Sequence, residues 1–94
     1  MSETAKTIRR HITFYGRVQG VGFRYTASYG ASALGLTGWV KNEWDGTVSM
    51  EVQGSAARID QLLTTLREGR FISITDMEIK EIPALDSERR FQIR

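Results

Sequence analysis

Three features of the sequence predict an α+β fold, a mostly antiparallel sheet with two helices on one face. Two segments carry apolar residues at helical spacing, several short runs alternate apolar and polar residues, and an Asp-Gly turn signal separates two of those runs. The 94 residues suffice for one domain, a size that buries roughly two-thirds of the unfolded chain's surface.

The first element is a half-buried strand over residues 8–15, with Ile8, Ile12 and Phe14 on one face and Arg9, His11, Thr13 and Tyr15 on the other. A glycine-rich loop leads from it to a helix over residues 23–34, where Phe23, Ala27, Ala31 and Leu34 recur at helical spacing and Gly35 supplies the stop. Residues 39–42 and 47–53 form a hairpin, with Asp45-Gly46 in the turn and Val48, Met50 and Val52 alternating behind it. Ser55 caps a second helix whose stripe is Ile59, Leu62, Leu63 and Leu66, with Gly69 as its stop. A fourth strand spans residues 72–82. Ile74 and Ile82 fall out of phase with Met77 and Ile79, which predicts an irregularity at each end. Phe91 and Ile93 mark a short fifth strand. The order strand, helix, strand, strand, helix, strand is the split β-α-β pattern of the ferredoxin-like sandwich, with its second sheet face left to solvent. Residues 1–7 are expected to be a flexible extension and residues 8–94 a single domain.

Composition narrows the chemistry. The absence of cysteine excludes a disulfide scaffold, a thiolate nucleophile and a cysteine-ligated metal, and it fits a reducing compartment. No apolar run approaches the roughly 18 residues of a membrane span or resembles a signal peptide, so a soluble, cytoplasmic chain is expected, with no membrane partner. The formal charge is only +2, and the arginines are scattered among acidic residues. A nucleic-acid surface shows a concentrated basic stripe instead, so no nucleic acid is expected as partner.

The loop from Gly16 through Arg17, Val18, Gln19, Gly20, Val21, Gly22 and Phe23 to Arg24 has the makings of an oxyanion site. Glycines let successive backbone N–H groups turn inward, a helix start adds unpaired N–H groups, and an arginine fork matches two phosphate oxygens. Two nucleotide loops are excluded by spelling. A P-loop needs Gly-x-x-x-x-Gly-Lys-Ser/Thr, and here the residue four after Gly20 is Arg24, with no Ser/Thr pair following at the right place for magnesium. A dinucleotide fingerprint needs a third glycine where Tyr25 stands, and a hairpin follows rather than a parallel unit.

Residues 16–24 do match throughout the first signature of the acylphosphatase family: glycine, any residue, Val-Gln-Gly-Val, any residue, Phe or Met, then Arg. The chain also meets the family's second signature, with Gly38-Trp39-Val40-Lys41-Asn42 continuing to Gly46, Val48 and Gly54. Phe91-Gln92-Ile93-Arg94 is similar to the family's usual ending, so the resemblance covers nearly the whole domain from about Ile8. The departures are peripheral: residues 67–73 lack a proline-containing turn common in relatives, and residues 1–6 are extra.

The resemblance implies hydrolysis of a small-molecule acyl phosphate to carboxylate and phosphate, with no cofactor and no metal. The leaving carboxylate has a pKa of roughly 4, so it departs without a general acid. That leaves two tasks, holding the phosphoryl group and aiming a water in line with the leaving oxygen. By resemblance, Arg24 and the backbone N–H groups of Gly16, Arg17, Val18, Gln19, Gly20 and Val21 hold the phosphoryl oxygens, and Asn42 orients the water, with the phosphate itself taking the proton. A neutral amide suits that role because it both accepts and donates.

Taken singly, these residues have plainer readings. Asn42 would be a turn residue, Arg24 and Arg17 solvated charges, and the loop a tight connection; the paired signatures decide for function at Arg24 and Asn42, while Arg17 stays a supporting surface charge beyond its backbone N–H. His11, without a carboxylate cluster, makes no metal site. Trp39 covers apolar sheet surface, and Trp44 is exposed in the turn near the site. The alternative is a non-catalytic ferredoxin-like module binding RNA or protein, but residues 47–53 lack the aromatic-basic consensus of an RNA-binding sheet. A third possibility is a domain of a larger maturation protein acting on carbamoyl phosphate. Because nothing follows Arg94, a free-standing monomeric enzyme is expected instead.

Overall fold

The computed structural model describes residues 6–94, and these form the predicted α+β sandwich. In chain order the elements are β1 (Thr7–Arg17), α1 (Phe23–Ala33), β2 (Thr37–Asn42), β3 (Val48–Ser55), α2 (Ala56–Arg67), β4 (Ser73–Ile82) and β5 (Phe91–Ile93). The strands make one sheet in the order β4-β1-β3-β2-β5, in which only β2 and β5 run parallel. Of the expected extension over 1–7, residues 1–5 lie outside the described residues, and Thr7 already pairs with Ser55.

The core lies between the sheet and the two helices. Ile12 and Phe14 of β1, Val40 of β2, and Val48, Met50 and Val52 of β3 are buried against Phe23, Ala27 and Ala31 of α1 and Ile59, Leu62, Leu63 and Leu66 of α2. The period of 2 in the strands and about 3.6 in the helices delivers these side chains to the same layer. Ser55 caps α2 as expected, its Oγ accepting from the N–H of Arg58 at 3.3 Å.

The structure departs from the sequence expectations at several places. β1 does not stop at Tyr15. It continues past a register shift, with Gly16 opposite Ile74 and Arg17 opposite Ser73, so those two residues belong to the strand and the true loop is residues 18–22. Gly16 has φ +122°, and a Cβ there would collide with the carbonyl oxygen of Ser73 and the N–H of Thr75. The partner strand therefore demands glycine at this position. Only the first of the two irregularities expected in β4 is present, because Thr75 is the extra residue at the shift. At the other end Ile82 pairs in regular register with Arg9 and sits on the open face. Gly69 follows α2 but lacks a left-handed backbone. A Cβ there would lie 2.6 Å from Cδ1 of Ile72, so it is small to admit that side chain.

The open sheet face is not simply left to solvent. Arg9, on that face, is only 1% exposed. Its guanidinium donates to both carboxylate oxygens of Glu88 at 2.7 and 3.2 Å, to Oε1 of Glu51 at 3.0 Å and to Oε1 of Gln53 at 3.2 Å. Gln53 in turn exchanges two hydrogen bonds with the backbone of Leu85, at 2.8 and 2.9 Å. These bonds fasten the segment that carries the chain from β4 at one sheet edge to β5 at the other. Burial alone would disfavour a charged Arg9, and the bonds to Glu88 and Glu51 more than offset it. Partial burial would likewise raise the Glu51 carboxyl, but hydrogen bonds from His11 and Arg9 outweigh that and hold it below the usual carboxylate range.

Two outcomes test this account. Gly16→Ala should cost roughly 2–4 kcal/mol in urea unfolding, whereas Gly46→Ala, where a Cβ meets open space, should cost only about 1–2 kcal/mol for its positive φ. Equal costs would show that the approach of β4 is not the constraint at Gly16. The stabilisation from Glu51 should be complete above the unfolded carboxyl pKa of about 4.3 and be lost as pH falls through its lower folded value. Thermal melts between about pH 2 and 6 should therefore show a weaker acid dependence in Glu51→Gln than in the parent chain.

Candidate functional site

The glycine loop leaves β1 at the end of the sheet where the β2–β3 hairpin turns, and Asn42 ends β2 at that same end, whereas Trp39 and His11 lie together on the open face. Val18 is buried and anchors the loop in the core, while Gly20 and Gly22 adopt φ +71° and +78° and turn the chain into α1. Gly22 is the N-cap, and with no side chain to offer it leaves the first N–H groups of the helix open. Among the described residues, none of the N–H groups of Gln19, Gly20 and Val21 donates to a protein acceptor. The first turn carries no acidic residue and instead holds Arg24. A cation there opposes the helix macrodipole, an arrangement that an anion between the two would relieve.

Phe23, the first residue of α1, packs edge-on against Phe14 with ring centroids 4.8 Å apart. Phe14 pairs with Val48, and Val48 pairs with Asn42, so Asn42 lies two strands across from the point where α1 begins. The alternation that buries Val40 directs Asn42 to the same helix side. Its Oδ1 is buried and accepts no hydrogen bond among the described residues. Such an atom in a folded protein calls for a partner that is not side chain or backbone.

Arg24 is half-buried and donates from Nη1 to the carbonyl oxygen of Arg94 at 3.4 Å. Arg94 is itself tied to β2, its N–H donating to the carbonyl oxygen of Val40 at 2.8 Å and its guanidinium lying 4.8 Å from the centroid of the Trp39 ring. The arginine of the loop and the asparagine of the hairpin are thus referred to the same strand end.

The hairpin loop is closed by its own bonds. Glu43 N–H donates to Thr47 O at 2.9 Å, Gly46 N–H to Glu43 O at 3.2 Å, and the Asp45 carboxylate accepts from both the N–H and the hydroxyl of Thr47. Those bonds from Thr47 lower the Asp45 carboxyl pKa. Gln19 joins the two loops through its side chain, a contact that sequence reasoning missed. The remaining expectations fare as follows. Arg17 is exposed, and Trp44 is 96% exposed at the hairpin apex. Trp39 is half-buried beneath Arg94, and His11 lies half-buried against its edge, with ring centroids 6.1 Å apart. Among the described residues no group of three or more His, Cys, Asp or Glu is placed to hold a metal, and no helix is long and apolar enough to cross a membrane.

A glycine-rich loop with backbone N–H groups unpaired among the described residues leads into a helix that carries Arg24 in its first turn, and the sandwich also holds an unpaired buried amide oxygen at Asn42. The family model described as Acylphosphatase matches residues 10–93, and the chain belongs to that family. An acylphosphatase of Clostridium beijerinckii is 40% identical over 88 residues, covering 93% of this chain and 98% of that one. Among solved structures, the acylphosphatase from Bacillus subtilis superposes with a TM-score of 0.85 at 35% identity, covering 93% of this chain and 98% of its own. The fold also occurs inside a larger protein: full-length HypF in its phosphate- and nucleotide-bound form matches with a TM-score of 0.85 at 26% identity, over 100% of this chain and 12% of that chain.

Proposed function

We propose that the chain hydrolyses the carboxyl-phosphate anhydride of an acyl phosphate by in-line attack of a water, with Arg24 and the backbone of residues 16–21 holding the phosphoryl group and Asn42 holding the water. Acyl phosphate hydrolysis is the activity of its family. The observation that carries the division of labour is the orphaned Oδ1 of Asn42, a buried acceptor beside an N–H-lined loop. A water donating to Oδ1 would satisfy it and lie at the edge of the anion cradle. The carboxamide N–H of Asn42 remains available to a second oxygen.

The chemistry asks little else of the chain. The anhydride leaves as a carboxylate already stable at neutral pH, so a site without a general acid is sufficient. A phosphoryl oxygen is the nearest base for the water's proton. Electrostatic complementarity and alignment then supply the rate, and neither requires a metal or a covalent intermediate. Gly16 and Arg17 lie within β1, so any N–H they contribute comes from the end of that strand, and the remaining N–H groups come from residues 18–21 of the loop. A location in the cytoplasm and a monomeric state fit a small chain without cysteine. The rival reading, a binding module on the same fold, finds no aromatic-basic consensus on residues 47–53 to support it.

Benzoyl phosphate hydrolysis in excess chelator tests the proposal. Arg24→Ala should lose two bonds of about 1.5–3 kcal/mol each, roughly two to four powers of ten shared between binding and turnover. Arg24→Lys should not restore it, because an ammonium lacks the planar fork. Asn42→Ala should lower kcat while inorganic phosphate still competes. Loss of activity in chelator would overturn the metal-free mechanism, and full activity in Arg24→Lys would overturn the role of the fork.

A further inference from the structure

The Gln19 side chain makes the one direct bridge, among the described residues, between the phosphate loop and the hairpin that carries Asn42. Its Nε2 donates to the carbonyl oxygen of Glu43 at 2.7 Å and to that of Thr47 at 2.8 Å, so both hydrogens of one amide nitrogen are spent across the neck of the hairpin loop. Each of those carbonyls already accepts from within the hairpin, from Gly46 and Glu43 respectively. The hairpin therefore does not need Gln19 to close. The loop does not need it either, since Val18 is anchored in the core.

What Gln19 fixes is the relation between the two parts. Glu43 follows Asn42 directly, and Gln19 contributes a backbone N–H to the cradle. We infer that Gln19 is a positioning residue whose carboxamide sets the distance and angle between the bound phosphoryl group and the water held by Asn42. The inference rests on the proposed roles of the loop and Asn42. An in-line displacement is sensitive to this alignment, and a misplacement on the order of 1 Å costs about a hundredfold in rate. Ground-state binding of phosphate, which uses only the loop and Arg24, is insensitive to it.

Gln19→Met keeps the length of the side chain and removes both donors. It should lower kcat for benzoyl phosphate by about ten- to a hundredfold while the inhibition constant of inorganic phosphate stays within about threefold. In an Asn42→Ala background the same change should alter kcat by less than about twofold, because Gln19 acts only through that residue. A parallel loss of phosphate affinity, a multiplicative effect in the double variant, or unchanged kcat would each overturn the inference. Gln19→Glu adds a signature that a purely structural staple would not give. Its carboxylate repels the two carbonyl oxygens at neutral pH, and its protonated form can donate to one of them. Its kcat relative to the parent should rise as pH falls toward 5, and a flat ratio would count against the inference even where Gln19→Met does not fold. Full kcat in Asn42→Ala would refute the water-holding role itself. An inactive Asn42→Ala beside a fully active Gln19→Met would refute only the positioning role of Gln19.

Discussion

A loop whose backbone N–H groups stay unpaired gains no hydrogen bonds of its own to hold its shape, so its path must be fixed from its two ends. The structure sustains this by bracketing the loop with two buried side chains, Val18 before it and Phe23 after it. Burial of side chains of this size contributes about 1.5–3 kcal/mol each. Both ends are thus held without any hydrogen bond from the main-chain N–H groups of residues 19–21, which stay available. Phe23 serves a second purpose. Its contact with Phe14 lays the start of α1 on the strand row that ends in Asn42, so one aromatic pair aligns the N-terminal end of the helix with the sheet.

The opposite face of the sheet contributes through the chain's path. β4 and β5 lie at opposite edges, and the segment between them must cross the sheet. Arg9, Glu51, Gln53 and Glu88 form the fastening. The crossing delivers β5 alongside β2, which brings the backbone of Arg94 to the guanidinium of Arg24. A buried ion pair often returns little net stability against an apolar substitute. Here its bidentate geometry selects one route for the connecting segment, and that route ends at the site.

Local features of the fold were legible in the sequence because their causes are local. The stripe Ile59, Leu62, Leu63 and Leu66, the Ser55 cap and the Asp45-Gly46 turn each follow from a spacing or a side chain within a few residues. The misreadings at the end of β1 and at Arg9 have distant partners. β1 runs on through Gly16 because β4, some sixty residues later, supplies ladder partners there, and alternation within residues 8–15 holds no trace of it. Arg9 reads as an outward charge until Glu88 lies over it. The same division holds at the site. Arg24 and Asn42 could be singled out by matching signatures, whereas the Gln19 contact was invisible because its acceptors are main-chain oxygens, which carry no residue identity.

That anonymity has an evolutionary side. Since the Gln19 amide is received by carbonyl groups, the identities of residues 43 and 47 are not constrained by it, and Trp44 between them projects almost wholly into solvent. Side chains at the apex can therefore change while the bridge from Gln19 to the neck of the hairpin stays in place, because that bridge reads only the main chain.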